Sequence, residues 1–257
     1  MFTAYSLVVV VTSPLTLHVV AVLFCATLVR SAFGFGEALI AVPLLALALP
    51  VETAAPVAVM VSITVAAIVV AQDWRDVQVP ITVWLVLSST AGIPLGLLLL
   101  RTVSEPVVKG VLGVVVGAFA AVSLRNRGSY ELKNDRLAWL FGVAAGILGG
   151  AYGMNGPPLV VYGALRRWPP GRFRATLQGY FLPASVMGML GYWIAGLWTA
   201  SVNRYYVVSL PGVLLAIALG RYTARRIEPR RFLVYVHAGL FVIGVVLFLQ
   251  AVAASRR

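Results

Sequence analysis

One decapeptide limits what this chain can fold into. Residues 149–158, Gly149-Gly-Ala-Tyr-Gly-Met-Asn-Gly-Pro-Pro158, separate two apolar runs, 137–148 and 159–165. Four glycines and two prolines are read as ending a helix. The same residues predict a restart. Asn155 suits an N-cap, and Pro157 or Pro158 suits a first helical turn, where no N–H is needed. A helix starting there turns its free N–H groups and the positive end of its dipole into the gap, an anion site in outline. A second copy lies upstream, where Ala32-Phe-Gly-Phe-Gly-Glu37 aligns with Ala151-Tyr-Gly-Met-Asn-Gly156.

Composition says what surrounds these breaks. Apolar residues make up 61% of the 257 and charged residues 11%, and mean hydropathy is +0.96. Soluble domains carry about 25% charged residues. Several apolar runs near 20 residues therefore predict an all-α polytopic membrane protein, one transmembrane domain over residues 1–257. Irregular backbone in a bilayer must sit inside protein or beside a water-filled cavity, which constrains both breaks. The net charge of +12 is not read as nucleic-acid binding, because the basic residues sit in short loops between apolar runs, where they set orientation. A lone Cys25 excludes an internal disulfide and a cysteine metal cluster. The N-terminal run lacks a basic leader and a small-residue cleavage site, and is read as a retained helix.

The runs come in two sets. The first reads 15–29, Arg30, the Gly34/Gly36 break, 38–49, a turn at 50–53, then 54–71, 80–100 and 107–124. The second reads 137–148, the Gly/Pro break, 159–165, then 175–195, 205–220 and 232–253. Residues 1–124 form a first repeat, 125–136 a cytoplasmic linker and 137–257 a second repeat. The spacing Gly96-x4-Arg101-x3-Glu105-Pro106 returns as Gly220-x4-Arg225-x2-Glu228-Pro229, and Pro56 resembles Pro183 in place.

Charge sets the expected topology. The loops 125–136, 166–174 and 221–231 hold four, four and five Lys/Arg, which assigns them to the cytoplasm. The second break lies between two of them, so its arms form a re-entrant hairpin. Three crossings follow it. Each half then has an odd number of crossings, both termini are external, and the second half is inverted relative to the first. For residues 15–49 two full spans remain the alternative to a hairpin.

Ser31-Ala-Phe-Gly-Phe-Gly-Glu37 with Pro43-Leu-Leu45, and Gly149…Gly153-Met-Asn-Gly-Pro-Pro158 with Tyr162, resemble the paired motifs of the TauE/SafE sulfite exporter family of permeases. The resemblance covers nearly the whole chain. It implies a bacterial inner-membrane permease exporting a small sulfur-containing anion such as sulfite, sulfoacetate or a related organosulfonate. Glu37 stands where a small residue is frequent in that family.

The candidate site residues follow from the breaks. Arg30 is the basic side chain placed at membrane depth, either binding the substrate oxyanion through its planar guanidinium, pairing with Glu37, or snorkelling. Glu37 is read as pairing with Arg30, coupling a proton, or capping its own helix. The substrate-binding set is Arg30, Phe33, Gly34, Phe35, Gly36, Tyr152, Gly153, Met154, Asn155, Gly156 and Gln178, with Tyr162 and Tyr180 as further neutral donors. Against it stands the reading that the glycines only permit close helix packing. His18 and His237 lack the partners of a metal site, and Trp84, Trp139, Trp168, Trp193 and Trp198 read as interface anchors.

No cofactor, metal or nucleic-acid partner is expected. The partners are a small anion and the bilayer, with a monomer or homodimer. The favoured reading is an alternating-access anion exporter, helped by the membrane potential. The alternatives are a proton-coupled transporter of another organic anion or of a cation, an intramembrane enzyme lacking a visible catalytic set, and a non-transporting assembly protein.

Overall fold

The computed structural model describes residues 13–125, 131–132, 134–223, 241–242 and 244–254, among which every regular element is helical. The helices are α1 (Pro14–Phe33), α2 (Glu37–Ala46), α3 (Val51–Asp73, extended by a 3-10 turn at Trp74–Asp76), α4 (Val79–Thr102), α5 (Glu105–Arg125), α6 (Ala138–Tyr152), α7 (Gly156–Leu165), α8 (Pro170–Ile194), α9 (Ala200–Thr223) and α10 (Gly244–Ala254). The chain is a polytopic membrane protein, helical throughout its described regular elements. α1, α3, α4, α5 and α9 are each long and apolar enough to cross a bilayer. α8 has 25 residues but places Thr176, Gln178 and Ser185 in its buried surface, so it is a central helix less apolar than its neighbours.

Local chemistry sets several helix ends. Ser13 caps α1, its hydroxyl accepting from the Thr16 N–H at 3.3 Å, and Pro14 occupies the first turn. Gly34 closes α1 at φ +87°, a left-handed conformation that suits glycine, and donates to the Arg30 carbonyl at 2.6 Å. Gly153 closes α6 in the same way at φ +66°, donating to Gly149 O at 2.8 Å, while Met154 N donates to Leu148 O at 3.1 Å.

Several boundaries differ from those expected. Gly149 and Gly150 do not break α6. The helix runs to Tyr152, and the break is only Gly153–Asn155, because Gly150 is needed for close approach to α4. Residues 51–53 belong to α3 and 170–174 to α8, each started by the preceding proline. Pro56 is six residues into α3 whereas Pro183 is fourteen into α8, so the two prolines do not match in depth.

Each break lies at the tip of a hairpin. The second has its open ends tied together: Leu132 N donates to Leu165 O at 2.8 Å and Arg166 Nη1 donates to Leu132 O at 2.7 Å. In the first, a His18 ring nitrogen lies 3.3 Å from Leu44 O, so the start of α1 lies beside the end of α2. At 1.5 Å per residue α2 and α7 are each about 15 Å long, half a hydrocarbon core. α1, about 30 Å long, is a longer first arm than the run 15–29 suggests. The Arg221–Asp73 ion pair (3.5 Å) and the Gln78–Thr176 hydrogen bond (3.3 Å) join the ends of α3, α8 and α9. Pro50, Val51, Leu100, Val103 and Glu105 gather at the opposite end of the bundle.

Small residues hold the bundle together. α6 packs along α4 through Gly92 and Gly96 against Gly146 and Gly150, with Gly142 against Leu85 and Ser88. α1 packs along α9, where Gly220 meets Leu28 O, Ser31 Cβ and Ala32 N. Removing side chains lets backbones touch, which is how helices gain packing energy in lipid. A Cβ at Gly92 would lie 2.2 Å from Val143 O, on rigid backbone. We expect Gly92→Ala to lower stability by about 1–3 kcal/mol, seen as a lower melting temperature in detergent. Gly188→Ala, whose Cβ meets nothing within 4 Å, should hold or gain about 0.5–1 kcal/mol.

Candidate functional site

α1 delivers Arg30 to the interior one turn before its Gly34 cap, where the side chain is only 3% exposed. A guanidinium at that depth must be neutralised and hydrogen-bonded. Glu37, the first residue of α2 and 1% exposed, accepts from Nη1. Nη1 also donates to Ser62 Oγ at 2.7 Å, and Nη2 donates to Gln178 Oε1 at 2.8 Å. Gln178 Nε2 in turn donates to Gly34 O at 2.7 Å, satisfying a carbonyl freed by the break. Ser62 and Ser185 hydroxyls lie 3.2 Å apart, linking α3 to α8, and the guanidinium stands 4.9 Å from the centre of the Phe181 ring. Arg30 Nε and Glu37 Oε1 are buried without a hydrogen-bond partner.

A cavity of about 20 Å³ opens on this cluster. Its walls include Arg30, Phe35, Gly36 and Glu37 from the first break and Met154, Asn155, Gly156 and Pro157 from the second, with Ser62, Phe119 and Phe181. The structure thus brings seven of the expected residues to one place: Arg30, Phe35, Gly36, Met154, Asn155, Gly156 and, through its bond to Arg30, Gln178. Glu37 joins them, as the partner of Arg30.

Other candidates lie elsewhere. Phe33, Gly34, Tyr152 and Gly153 are absent from the cavity wall. Gly34 packs under the Arg174 side chain and Gly153 against Ala55 and Val59, so both serve the packing of the hairpin tips. The Tyr152 hydroxyl donates to Val108 O at 3.1 Å, and that of Tyr162 donates to Asp135 at the open end of the second hairpin. Tyr180 is buried on α8 beside Ser89 and Asn155. Asn155 precedes α7 as expected but makes no side-chain cap, because its backbone is already helical (φ −75°, ψ −10°). Pro157 and Pro158 carry no N–H, so the first turn of α7 offers few donors, fewer than a helix N-terminus usually presents. His18 bonds Leu44, and His237 lies outside the described residues, as do Arg225, Glu228 and Pro229.

Sequence reasoning missed Ser62, Ser185, Phe181 and Phe119. Ser62 and Ser185 lie in the middle of long helices that carry other hydroxyls, Thr64 on α3 and Thr176 on α8. Their signal is weak, because a serine in a membrane helix is commonly bonded to its own backbone.

The family model Sulfite exporter TauE/SafE matches residues 19–247 of the chain. No curated protein matches it, and no solved structure does.

The pairing has an energetic consequence. Removing one member of a buried ion pair leaves the other uncompensated, at a cost of about 3–5 kcal/mol. Arg30→Ala and Glu37→Ala should each destabilise the protein on that scale. The double substitution should cost less than the two combined, by about 0.5–3 kcal/mol, in a double-mutant cycle read from detergent or denaturant unfolding.

Proposed function

The chain belongs to the TauE/SafE sulfite exporter family, and on that premise we propose that it moves a small sulfur-containing oxyanion out of the cell through the cavity between its two helix breaks. The observation that carries this reading is Arg30, a guanidinium buried at the junction of both hairpins and facing that cavity. Its planar donors match the edge of a sulfite or sulfonate group. Asn155 and the N–H groups at the start of α2 are the neutral donors around it, and Gln178 holds Arg30 through an amide oxygen. A dianion leaving a negative interior gains about 4.6 kcal/mol per 100 mV, so export proceeds down the potential.

A cavity of about 20 Å³ holds roughly one water, too little for the proposed substrate. Transport therefore requires the site to open to one side at a time. An inverted repeat supports that motion, and matched contacts support the repeat. Gly34 meets Arg174, the fifth residue of α8, while Gly153 meets Ala55, the fifth residue of α3. Gly96 meets Ile147 O and Ala151 N, while Gly220 meets Leu28 O and Ala32 N. Position 34 relates to 153 as 55 to 174, 28 to 147 and 32 to 151. The bodies that move need not be the sequence halves. α1 is locked to α9 and α6 to α4 through backbone contact, so each first arm travels with a long helix of the other half.

We place the end carrying Asp73, Arg75, Asp135, Arg166, Arg174 and Arg221 in the cytoplasm of a bacterial inner membrane, with both termini outside. With Cys25 replaced by serine, Asn134→Cys should react with an impermeant maleimide only from the inside, and Ser201→Cys only from the outside. The reverse pattern would invert the assignment.

The functional test is efflux of sulfite, sulfoacetate or sulfate from proteoliposomes under an imposed potential. Efflux of at least one anion should rise with the potential. It should fall about 10–100-fold in Arg30→Ala, hydrogen bonds to charged groups being worth about 1.5–3 kcal/mol each. Unchanged efflux in a folded Arg30→Ala protein would move the site away from the guanidinium.

A further inference from the structure

We propose that the Glu37 carboxylate is a tethered stand-in for the transported anion, and that an oxyanion takes its seat on Arg30 only as Glu37 takes up a proton. The inference rests on the reading of Arg30 as the anion-binding group and adds how that group is kept occupied and released.

A carboxylate offers a guanidinium the same two-oxygen edge that a sulfonate or sulfite does. Glu37 uses that edge poorly. One oxygen accepts from Nη1, which also serves Ser62, while Oε1 has no partner and Arg30 Nε stays unfilled. A side-on bidentate pair, through Nε and its neighbouring Nη, would have filled both. The contact therefore neutralises Arg30 without saturating it, as a displaceable ligand should. Its tether is suited to release, because Glu37 is the first residue of α2 and follows Gly36, which sits at φ +99°.

Both anions cannot occupy the site together. Arg30 is the one cation among the described residues that line the cavity. An ionised Glu37 beside a bound oxyanion would set two or three negative charges against one positive charge in a poorly screened interior. The surrounding elements offer little further compensation. α3 contributes Ser62, α8 contributes Gln178, Phe181 and Ser185, α5 contributes Phe119, and the second break contributes Met154, Asn155 and Gly156. On α8, Tyr180 lies beside Asn155, and Arg174 packs over Gly34, coupled electrostatically to Asp73 and Arg221. Protonation resolves the conflict. The carboxylate gains one proton from the side the anion enters, loses its charge, and becomes a donor to the oxyanion. When the anion leaves, the proton leaves with it and the Arg30–Glu37 pair closes again. A dianion then crosses with one net negative charge, so the coupling halves the drive that the potential gives a dianion crossing alone.

Calorimetric titration of the full-length protein in detergent with sulfoacetate, at pH 6, 7 and 8, tests this. The charge of that probe is constant over the range. Affinity should fall about tenfold per pH unit, and titration in two buffers of different ionisation heat should show about one proton taken up per anion. Glu37→Gln should bind at pH 8 more tightly than the parent, with no pH dependence and no proton uptake. Should that variant not fold, the proton count in the parent decides alone. Parent affinity that is flat with pH, with no proton uptake, and lost in Arg30→Gln, would overturn the coupling while leaving Arg30 as the anion site. Absence of binding at every pH for both sulfoacetate and sulfate would overturn the proposed function and the coupling with it.

Discussion

The cost of holding one guanidinium inside a bilayer protein shapes the centre of this fold. Arg30 cannot be left unpaired at that depth, and no single element supplies all it needs. α2 provides the carboxylate, α3 a hydroxyl and α8 an amide oxygen. These partners fix the relative positions of four helices from both halves of the chain. The amide of Gln178 does double duty, since its other end binds the carbonyl freed where α1 stops. Charge neutralisation and repair of broken backbone are thus one hydrogen-bonded unit.

Around that unit the bundle is held by close backbone contact more than by large side chains. Glycines on α4, α6 and α9 bring carbonyls and amides of neighbouring helices into contact. The result crosses the boundary between halves in both directions, with α6 on α4 and α1 on α9. Each hairpin tip also lies on a long helix of the opposite half, Gly34 at Arg174 and Gly153 at Ala55. Neither half closes its own core. The cavity sits where this exchange is completed, which is why residues from both breaks wall it.

Much of this was legible in the chain. Hydropathy gave the helical membrane class, and the two Gly-containing breaks gave the place where hairpins turn. Arg30 and Glu37 stand out because charges are rare in apolar runs, and their pairing is one of the readings those runs allow. The extent of each helix was less legible. Gly149 and Gly150 look like breakers in sequence, yet within a helix Gly150 is a contact surface for α4 and Gly149 makes room for the Asn155 side chain, distinctions that depend on neighbours the local sequence does not name. Tyr152 and Tyr162 look like donors for a ligand, but their hydroxyls are tethered to Val108 and Asp135. Ser62 and Ser185 were invisible because a hydroxyl in mid-helix has no sequence signature until a guanidinium is placed beside it.

The seven-residue separation of Arg30 and Glu37 also bears on how the protein is made. Gln178 lies far downstream, and α9, the helix that α1 packs along, is later still. During synthesis α1 must enter the membrane long before either exists. A bare arginine would then face lipid or wait at its surface. Because the carboxylate belongs to the same hairpin, the charge can be quenched as soon as α2 emerges, and the first hairpin can insert as an electrically neutral piece. The pair buried at the junction of both hairpins therefore also keeps its own hairpin free of net charge.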